Sequence, residues 1–344
     1  MAADRTRSDE FQAQLARRAT DAAQAWHAGA RVSHIEPLTG GASSLTFVAH
    51  IEGSPESDHR IVLKVAPPGL APVRNRDVLR QARVMRALHG RKGVVVPRVL
   101  FADEGDPPET PPFVAMGLVA GESFEPTLND ARDPGRFAAI RARGLDAARV
   151  LAAIHLVDPA GAGLGDEPIV SLTDEIDRWT RAFTTVPADL QHDFGRCAEA
   201  LHATVPVALR PVVNHGDYRL GNTLCAGDRV NAVIDWEIWS LGDPRVDVTW
   251  MTFFTDEARH PAAPTTDPSG MPSAGELLDA YAAAGGAPLD DVTWFDALTR
   301  YKEAAATALL IKRARKSDAM APTIRRMIPA LPGLMREAET LVGR

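Results

Sequence analysis

The chain has 344 residues, 45% hydrophobic and 24% charged, an ordinary globular composition with length enough for two lobes that each bury a core. That composition excludes disorder as the main state, and 26 Gly and 26 Pro without a period exclude collagen-like and low-complexity chains. The 45 acidic residues against 38 basic ones give a net charge of -7, with no basic footprint, so nucleic acid is not expected as a partner.

The N-terminal stretch MAADRTRSDE is charged and no apolar segment of signal length follows it, which leads to the expectation of a cytoplasmic protein. Only two cysteines, Cys197 and Cys225, occur, a usage that fits a reducing compartment. The longest apolar run, Ala304 to Ile311, is eight residues between Glu303 and Lys312. A span needs about 18, so this run reads as a packed helix and no membrane partner is expected.

In chain order, the first half carries strand signals. Leu38 to Gly41 reads LTGG, a glycine turn, and Leu45 to Ile51 reads LTFVAHI, a returning strand rich in β-branched and aromatic residues. A polar turn over Ser54 to Asp58 leads to Ile61 to Val65, IVLKV. Its single charge, Lys64, requires a partner or a ligand. Asn75 to Leu88 repeats apolar residues at Val78, Val84, Met85 and Leu88 and stops at Gly90, a helical pattern. Val94 to Phe101 and Phe113 to Val119 read as two further strands joined by a Pro-rich turn.

From about Glu122 the spacing is helical, as in Leu145, Ala148, Leu151, Ala152 and His155, or Leu172, Ile176, Trp179 and Phe183. An island of short β-type runs interrupts it at Pro211 to Asn214, Thr223 to Leu224 and Val230 to Asp235. Pro261 to Ser273 reads as a surface loop, and the chain closes on Ala-rich helix. The expectation is an α+β chain divided into a small β-rich lobe over residues 1–118 and a larger helical lobe over 119–344.

The island carries the chemistry. His215 to Asn222 reads HGDYRLGN, and Asp235, in VIDWE, follows Asn222 by thirteen residues. Phosphoryl transfer from a nucleotide needs oxygen ligands for a divalent metal, a carboxylate near the attacking hydroxyl and a cation on the phosphates. The island supplies the first two. Lys64 supplies the third, and backbone N–H groups over Gly40 to Ser44 can cover the phosphates.

These residues, in this order, resemble the aminoglycoside phosphotransferase-like kinases. The likeness runs from LTGGASS through Lys64, HGDYRLGN and IDWE to GDPRVD at Gly242 to Asp247, and it is strongest to phosphotransferases related to the kinase-like domain fused to some acyl-CoA dehydrogenases. The resemblance implies a bilobal protein-kinase-like fold and an ATP-dependent transfer of the γ-phosphoryl group to a small-molecule hydroxyl, with GTP as the alternative donor and Mg²⁺ as cofactor. By the same resemblance Asp217 is the catalytic carboxylate, Asn222 and Asp235 hold magnesium, and Lys64 binds phosphate. Gly40, Gly41, Ser43 and Ser44 form the phosphate cover, and the backbone of Met116, Leu118 and Val119 receives the adenine. His215 and Asp247 are supporting residues, Asp247 as a buried prop for the catalytic loop.

Between Asp235 and Asp247 lie eleven residues, too few for an activation segment that lays out a peptide, which favours a small-molecule acceptor. Gly216 replaces the arginine that grips a phosphorylated loop in protein kinases, so no receptor for such a switch is expected. Where the family carries a glutamate to pair with the lysine, this chain has Gln81, whose amide can hydrogen-bond but not neutralise Lys64; Asp77, a turn earlier, is the alternative partner. Gln81 also motivates the rival reading of a nucleotide-binding pseudokinase or scaffold without turnover.

Taken alone, His-Gly-Asp is a turn, Gly-Gly a hairpin, and Lys64 an edge-strand lysine; the combination carries the reading. No His-Glu-x-x-His and no Walker-type Gly-x-x-x-x-Gly-Lys occurs. His155 reads as a packed or capping residue, and Trp236, Trp239 and Trp250 as core. Gly270 to Arg344 holds nine Asp/Glu against ten Lys/Arg, which disfavours a polycationic aminoglycoside and leaves an anionic hydroxy metabolite preferred. An aminoglycoside or macrolide remains the alternative acceptor. Nothing in the sequence sets the oligomeric state.

Overall fold

The computed structural model describes residues 2–38, 44–54, 58–316 and 320–343. Its contacts divide the chain into two compact units, one made of Met1–Gly90, Val95–Ala120 and Ala232–Ile238, the other of Arg91–Val94, Gly121–Asn231 and Trp239–Arg344. The units interleave: the short segment from Ala232 to Ile238 belongs with the first unit, although the sequence between it and residue 120 belongs to the second.

The first unit begins with helix α1 (Ala2–Trp26), followed by strands β1 (Arg31–Pro37), β2 (Leu45–Glu52) and β3 (Arg60–Val65), helix α2 (Val78–Leu88), and strands β4 (Val99–Asp103) and β5 (Phe113–Gly117). The five strands form one antiparallel sheet in the order β1-β2-β3-β5-β4. Strand period explains which side chains are buried. Phe47, Ala49 and Ile51 of β2 and Ile61, Leu63 and Val65 of β3 turn to a common core with Leu15, Ala19 and Ala23 of α1. Lys64, between Leu63 and Val65, therefore emerges on the opposite face of the sheet, paired in register with Thr46 and Val114.

Helix α1 was not expected from the charged N-terminal stretch. It forms because Leu15, Ala19 and Ala23 recur every fourth residue, a narrow apolar stripe that a charged background hides from a composition reading. Arg18 fastens it, donating to Asp103 at 2.7 Å and to the Pro111 carbonyl at 3.0 Å. The buried stripe of α2 includes Val78, Ala82, Val84, Met85 and Leu88. Its N-cap is Asp77, whose carboxylate accepts from the Arg80 N–H at 2.9 Å. Asp77 is thus a helix cap and not the partner of Lys64. Asp77→Ala is expected to lower stability by about 1 kcal/mol with little effect on nucleotide binding, a shift readable in the urea midpoint; an equal loss of nucleotide affinity would contradict that assignment.

The second unit holds helices α3 (Phe137–His155), α4 (Leu172–Thr184), α5 (Phe194–Ala203), α6 (Arg245–Thr252), α7 (Ala274–Ala283), α8 (Val292–Ala314), α9 (Pro322–Met327) and α10 (Leu331–Val342). It also carries the short strands β6 (Val212–Asn214), β7 (Thr223–Ala226), β8 (Arg229–Val233, whose last two residues pass into the first unit) and β9 (Ser240–Gly242). β6 pairs antiparallel with β9, and β7 with β8 in a second two-stranded ribbon. The apolar run seen in the sequence lies in α8, a central helix that packs on α4, α6 and α10 and buries Phe295, Leu298, Tyr301, Ala304, Ala305, Ala308 and Ile311. Capping boxes at Ser171 with Asp174 and at Ser273 with Glu276 start α4 and α7. The stretch Pro261 to Ser273 is irregular as expected, yet Ala262 and Ser269 are buried, so it is tied to the unit rather than lying freely on its surface. Both cysteines are buried and unpaired, and among the described residues no helix is long and apolar enough to cross a membrane.

Candidate active site

The segment HGDYRLGN joins β6 to β7 within the second unit. The loop turns at Gly216, whose φ of +87° is a left-handed conformation that glycine adopts without a Cβ penalty. Asp247, on α6 and fully buried, closes the turn: its carboxylate accepts from the His215 N–H and, at 2.8 Å, from the Gly216 N–H. Burial alone would push this carboxyl up, but His155, His215 and Lys302 outweigh it and hold it below the usual range. His155, at the end of α3, is packed as expected, its Nδ1 2.8 Å from the Tyr281 hydroxyl and its Nε2 3.7 Å from Asp247. His215 is fully buried, its ring edge-on to Tyr218.

Asp217 is held from several sides. Its Oδ1 accepts from Trp250 Nε1 at 2.7 Å and from Arg219 Nε at 3.3 Å. Its Oδ2 accepts from Asn222 Nδ2 at 2.7 Å. Because that amide N also donates to the Asp217 carbonyl at 2.8 Å, Asn222 turns its Oδ1 away from Asp217 as an oxygen available to a ligand. Arg219 continues from Asp217 to Glu125, whose carboxylate lies 3.4 Å from Nη1 and accepts from the Gly221 N–H at 3.0 Å. Burial pushes the Glu125 carboxyl up against the opposing pull of Arg219.

In the first unit, Lys64 Nζ lies 2.8 Å from Asp235 Oδ1. The lysine side chain is 13% exposed and the aspartate 42%, so Asp235 neutralises the cation and still presents carboxylate to solvent. Asp235 sits at φ +65° just past β8, a strained backbone for a residue with a Cβ and a common sign of a functional position. Its segment is tied in place by the Val233 N–H, which donates to the Val95 carbonyl at 2.8 Å, and by Trp236 Nε1, which donates to the Val233 carbonyl at 3.0 Å. Gln81 is buried on α2, but its amide donates to the Asn75 carbonyl at 3.3 Å. It braces the turn before its own helix, and the charge opposite Lys64 comes from Asp235.

Past β5, the Gly117 N–H donates to the Arg98 carbonyl at 2.9 Å and the Leu118 N–H to the Arg60 carbonyl at 3.1 Å. The Val119 N–H pairs with no described residue, which leaves it as the amide of Met116 to Val119 open to a base. Ser44 is buried just before β2; Gly40, Gly41 and Ser43 fall outside the described residues.

The sequence reading missed several of these groups. Arg219 lies inside the quoted motif but received no role, and Glu125 lies in a stretch without a pattern. Trp250 is core, as expected, and also reaches Asp217; its three-residue spacing from Asp247 on one helix was the available signal. Lys302 is buried in α8, donates to the Gly216 carbonyl and sits 3.9 Å from the centre of the Trp250 ring. Burial pushes its ammonium down from the ordinary lysine value, against the pull of Glu175, Asp247 and Asp217.

Beside it, Glu303 and His260 face each other at 3.6 Å, with Thr307 donating to Glu303 at 3.2 Å. Burial pushes Glu303 from its ordinary 4.5 up to about 8 and His260 from 6.5 down to about 3. A carboxyl with a raised folded-state pKa stabilises below its unfolded value, and this contribution is lost as pH rises through the folded one; the histidine acts with the opposite slope below 6.5. Between pH 6.5 and about 8 the contribution of this pair comes from Glu303 alone, and it falls with pH there. Urea midpoints are expected to fall more steeply with pH in the wild type than in Glu303→Gln over this window; equal slopes would contradict it.

Comparison with known proteins decides the family. The model of the phosphotransferase enzyme family matches residues 34–298. The chain belongs to the phosphotransferase enzyme family. Among curated relatives it is 28% identical to acyl-CoA dehydrogenase family member 10 of Mus musculus over 206 residues, 56% of this chain and 18% of that protein. It is also 28% identical to the probable acyl-CoA dehydrogenase IBR3 of Arabidopsis thaliana over 276 residues, 74% of this chain and 33% of that protein. The chain thus spans a third or less of these relatives' length. Among solved structures, a Ralstonia eutropha protein provisionally designated an aminoglycoside phosphotransferase superposes with a TM-score of 0.73 at 23% identity, covering 94% of this chain and 98% of that one. Macrolide 2'-phosphotransferase type I superposes at 0.56 with 20% identity over 92% and 95%, and the GDP complex of aminoglycoside 2'-phosphotransferase-IIIa at 0.59 with 14% identity over 94% and 98%. At these identities the structures fix the fold, which is α+β and protein-kinase-like, with the sheet in the N-terminal part and helices in the C-terminal part.

Proposed function

We propose that this phosphotransferase-family chain moves the γ-phosphoryl group of ATP, or of GTP, to a hydroxyl of a small molecule. The observation that supports this best is the state of Asp217: a carboxylate fixed by Asn222, Arg219 and Trp250 on a turn braced by the buried Asp247. A group so held is suited to orient an acceptor hydroxyl and take its proton as the oxygen attacks phosphorus. Lys64 balances charge on the nucleotide phosphates, and the Val119 N–H meets the base. Among the described residues no group of three or more His, Cys, Asp or Glu is arranged to hold a metal. Oxygen donors of the kind Mg²⁺ takes are present in each unit nonetheless: the exposed carboxylate of Asp235 in the first and the Oδ1 of Asn222 in the second would be its ligands. Mg²⁺ would offset negative charge as the phosphoryl group transfers. Lys64 and Asp235 belong to the first unit and Asp217 and Asn222 to the second.

ADP and GDP complexes among the structural neighbours support nucleotide use in the fold. The acceptor we favour is an anionic hydroxy metabolite. The near-balance of charge over Gly270 to Arg344 and the likeness to dehydrogenase-family chains support it over a polycation. A screen of nucleoside diphosphate release with hydroxyacids and hydroxyacyl thioesters beside aminoglycosides and macrolides tests both parts. Turnover on kanamycin-like acceptors alone would refute the acceptor class, and no turnover on any would favour a nucleotide-binding scaffold, the reading that Gln81 supports by leaving Lys64 without a glutamate.

A further inference from the structure

We propose that Trp250 and Lys302 form a positioning unit for Asp217, in which the indole N–H fixes the carboxylate and the buried ammonium holds both the indole and the loop. The inference rests on Asp217 being the carboxylate that meets the acceptor hydroxyl.

An aspartate that receives a hydroxyl proton must present one oxygen to the acceptor and keep the other engaged. Oδ1 of Asp217 accepts from Trp250 Nε1 at 2.7 Å, a short charge-assisted bond from a rigid donor with no acceptor capacity of its own. The indole is buried against Phe253 and Phe254, at 6.3 and 5.7 Å between ring centres, so its direction is set by packing. Lys302 lies against its face, Nζ 3.9 Å from the ring centre, and also donates to the Gly216 carbonyl. A cation on the π-face draws electron density from the ring and strengthens the N–H as a donor. The same ammonium therefore grips the loop on one side of Asp217 and polarises the donor on the other. Arg219 also reaches Oδ1, but at 3.3 Å and shared with Glu125, so the indole sets the orientation.

Neither residue touches nucleotide or acceptor in this scheme, so the expected signature is a loss in kcat at unchanged nucleotide KM. The first test needs no acceptor: the six tryptophans are labelled with ¹⁵N in the full chain, and the Trp250 indole signal is assigned from its loss in Trp250→Phe. In Asp217→Asn that signal is expected to move upfield while the other five stay in place. A Trp250 signal indifferent to Asp217→Asn overturns the proposal, whether or not the chain is a kinase. The second test is nucleoside diphosphate release. Trp250→Phe keeps a ring for Lys302 to rest on and removes the donor, and is expected to lower kcat roughly ten- to a hundredfold at constant nucleotide KM. Lys302→Met keeps the indole and removes the cation, with a smaller loss in the same direction, and guards against one variant failing to fold. Unchanged kcat in either folded variant, or a rise in KM with kcat intact, overturns the proposal. A wild type without turnover whose Trp250 signal still follows Asp217 overturns the phosphotransferase reading, and the positioning role with it, while the hydrogen bond stands.

Discussion

Replacing Asp217 by Asn is expected to lower kcat roughly 10²- to 10⁴-fold, the range a positioned general base supplies, while nucleotide affinity changes little. The substituted amide has the shape of the carboxylate, and its oxygen still accepts from Trp250 and Arg219, so the turn between β6 and β7 keeps its form. What disappears is the group able to take a proton from the acceptor. The amide nitrogen would meet the Nδ2 of Asn222, which now donates to Asp217 Oδ2 at 2.7 Å, so Asn222 must readjust. Asp217→Ala, which places no second donor against it, separates that effect from loss of the base. Initial rates and calorimetric titration of nucleotide on both variants check the assignment, and turnover within a few-fold of wild type would remove Asp217 from the mechanism.

Asp247→Ala is expected to cost about 3–5 kcal/mol of folding stability, the scale seen when one side of a buried charged network is removed. Its carboxylate satisfies two backbone N–H groups and stands near His155, His215 and Lys302. Without it the amides of His215 and Gly216 are buried without their acceptor, and the Lys302 ammonium loses a nearby anion. Urea unfolding followed by tryptophan fluorescence measures the loss. A change below about 1 kcal/mol, the size of one ordinary hydrogen bond, would mean that water or a shifted loop replaces the carboxylate.

The strands of the first unit and the helical character of the second were legible because each buries one face, which leaves a period of two or of about 3.6 in the sequence. Lys64 stood out as the charge in an apolar strand, and its register on β3 explains why it escapes the core. The turn between β6 and β7 was legible as HGDYRLGN because the residues that hold Asp217 on it, Asn222 and Arg219, lie within the motif itself. Helix α1 was not, since its stripe of Leu15, Ala19 and Ala23 relies on small residues that carry little hydrophobic signal. The partner of Lys64 was misplaced for a different reason. Gln81 and Asp77 stood at helical distance from each other, but Asp77 is consumed by the helix N-terminus and Gln81 by the Asn75 carbonyl, while Asp235 arrives from 171 residues away. Trp250 and Lys302 were hidden likewise, because a tryptophan and a lysine among apolar neighbours look like core and surface until their partners are known.

The central claim, a metal-dependent nucleotide site built on Lys64 and Asp235, is tested most directly by thermal unfolding with ATP and GTP, with and without Mg²⁺, in the wild type and in Asp235→Ala. A nucleotide at a hundred times its dissociation constant adds about 2.7 kcal/mol of apparent stability, enough to raise the midpoint by several degrees. The account predicts such a rise for the wild type with Mg²⁺, a much smaller one without it, and none in Asp235→Ala. No shift with either nucleotide, or a shift indifferent to Mg²⁺ and to Asp235→Ala, would contradict it.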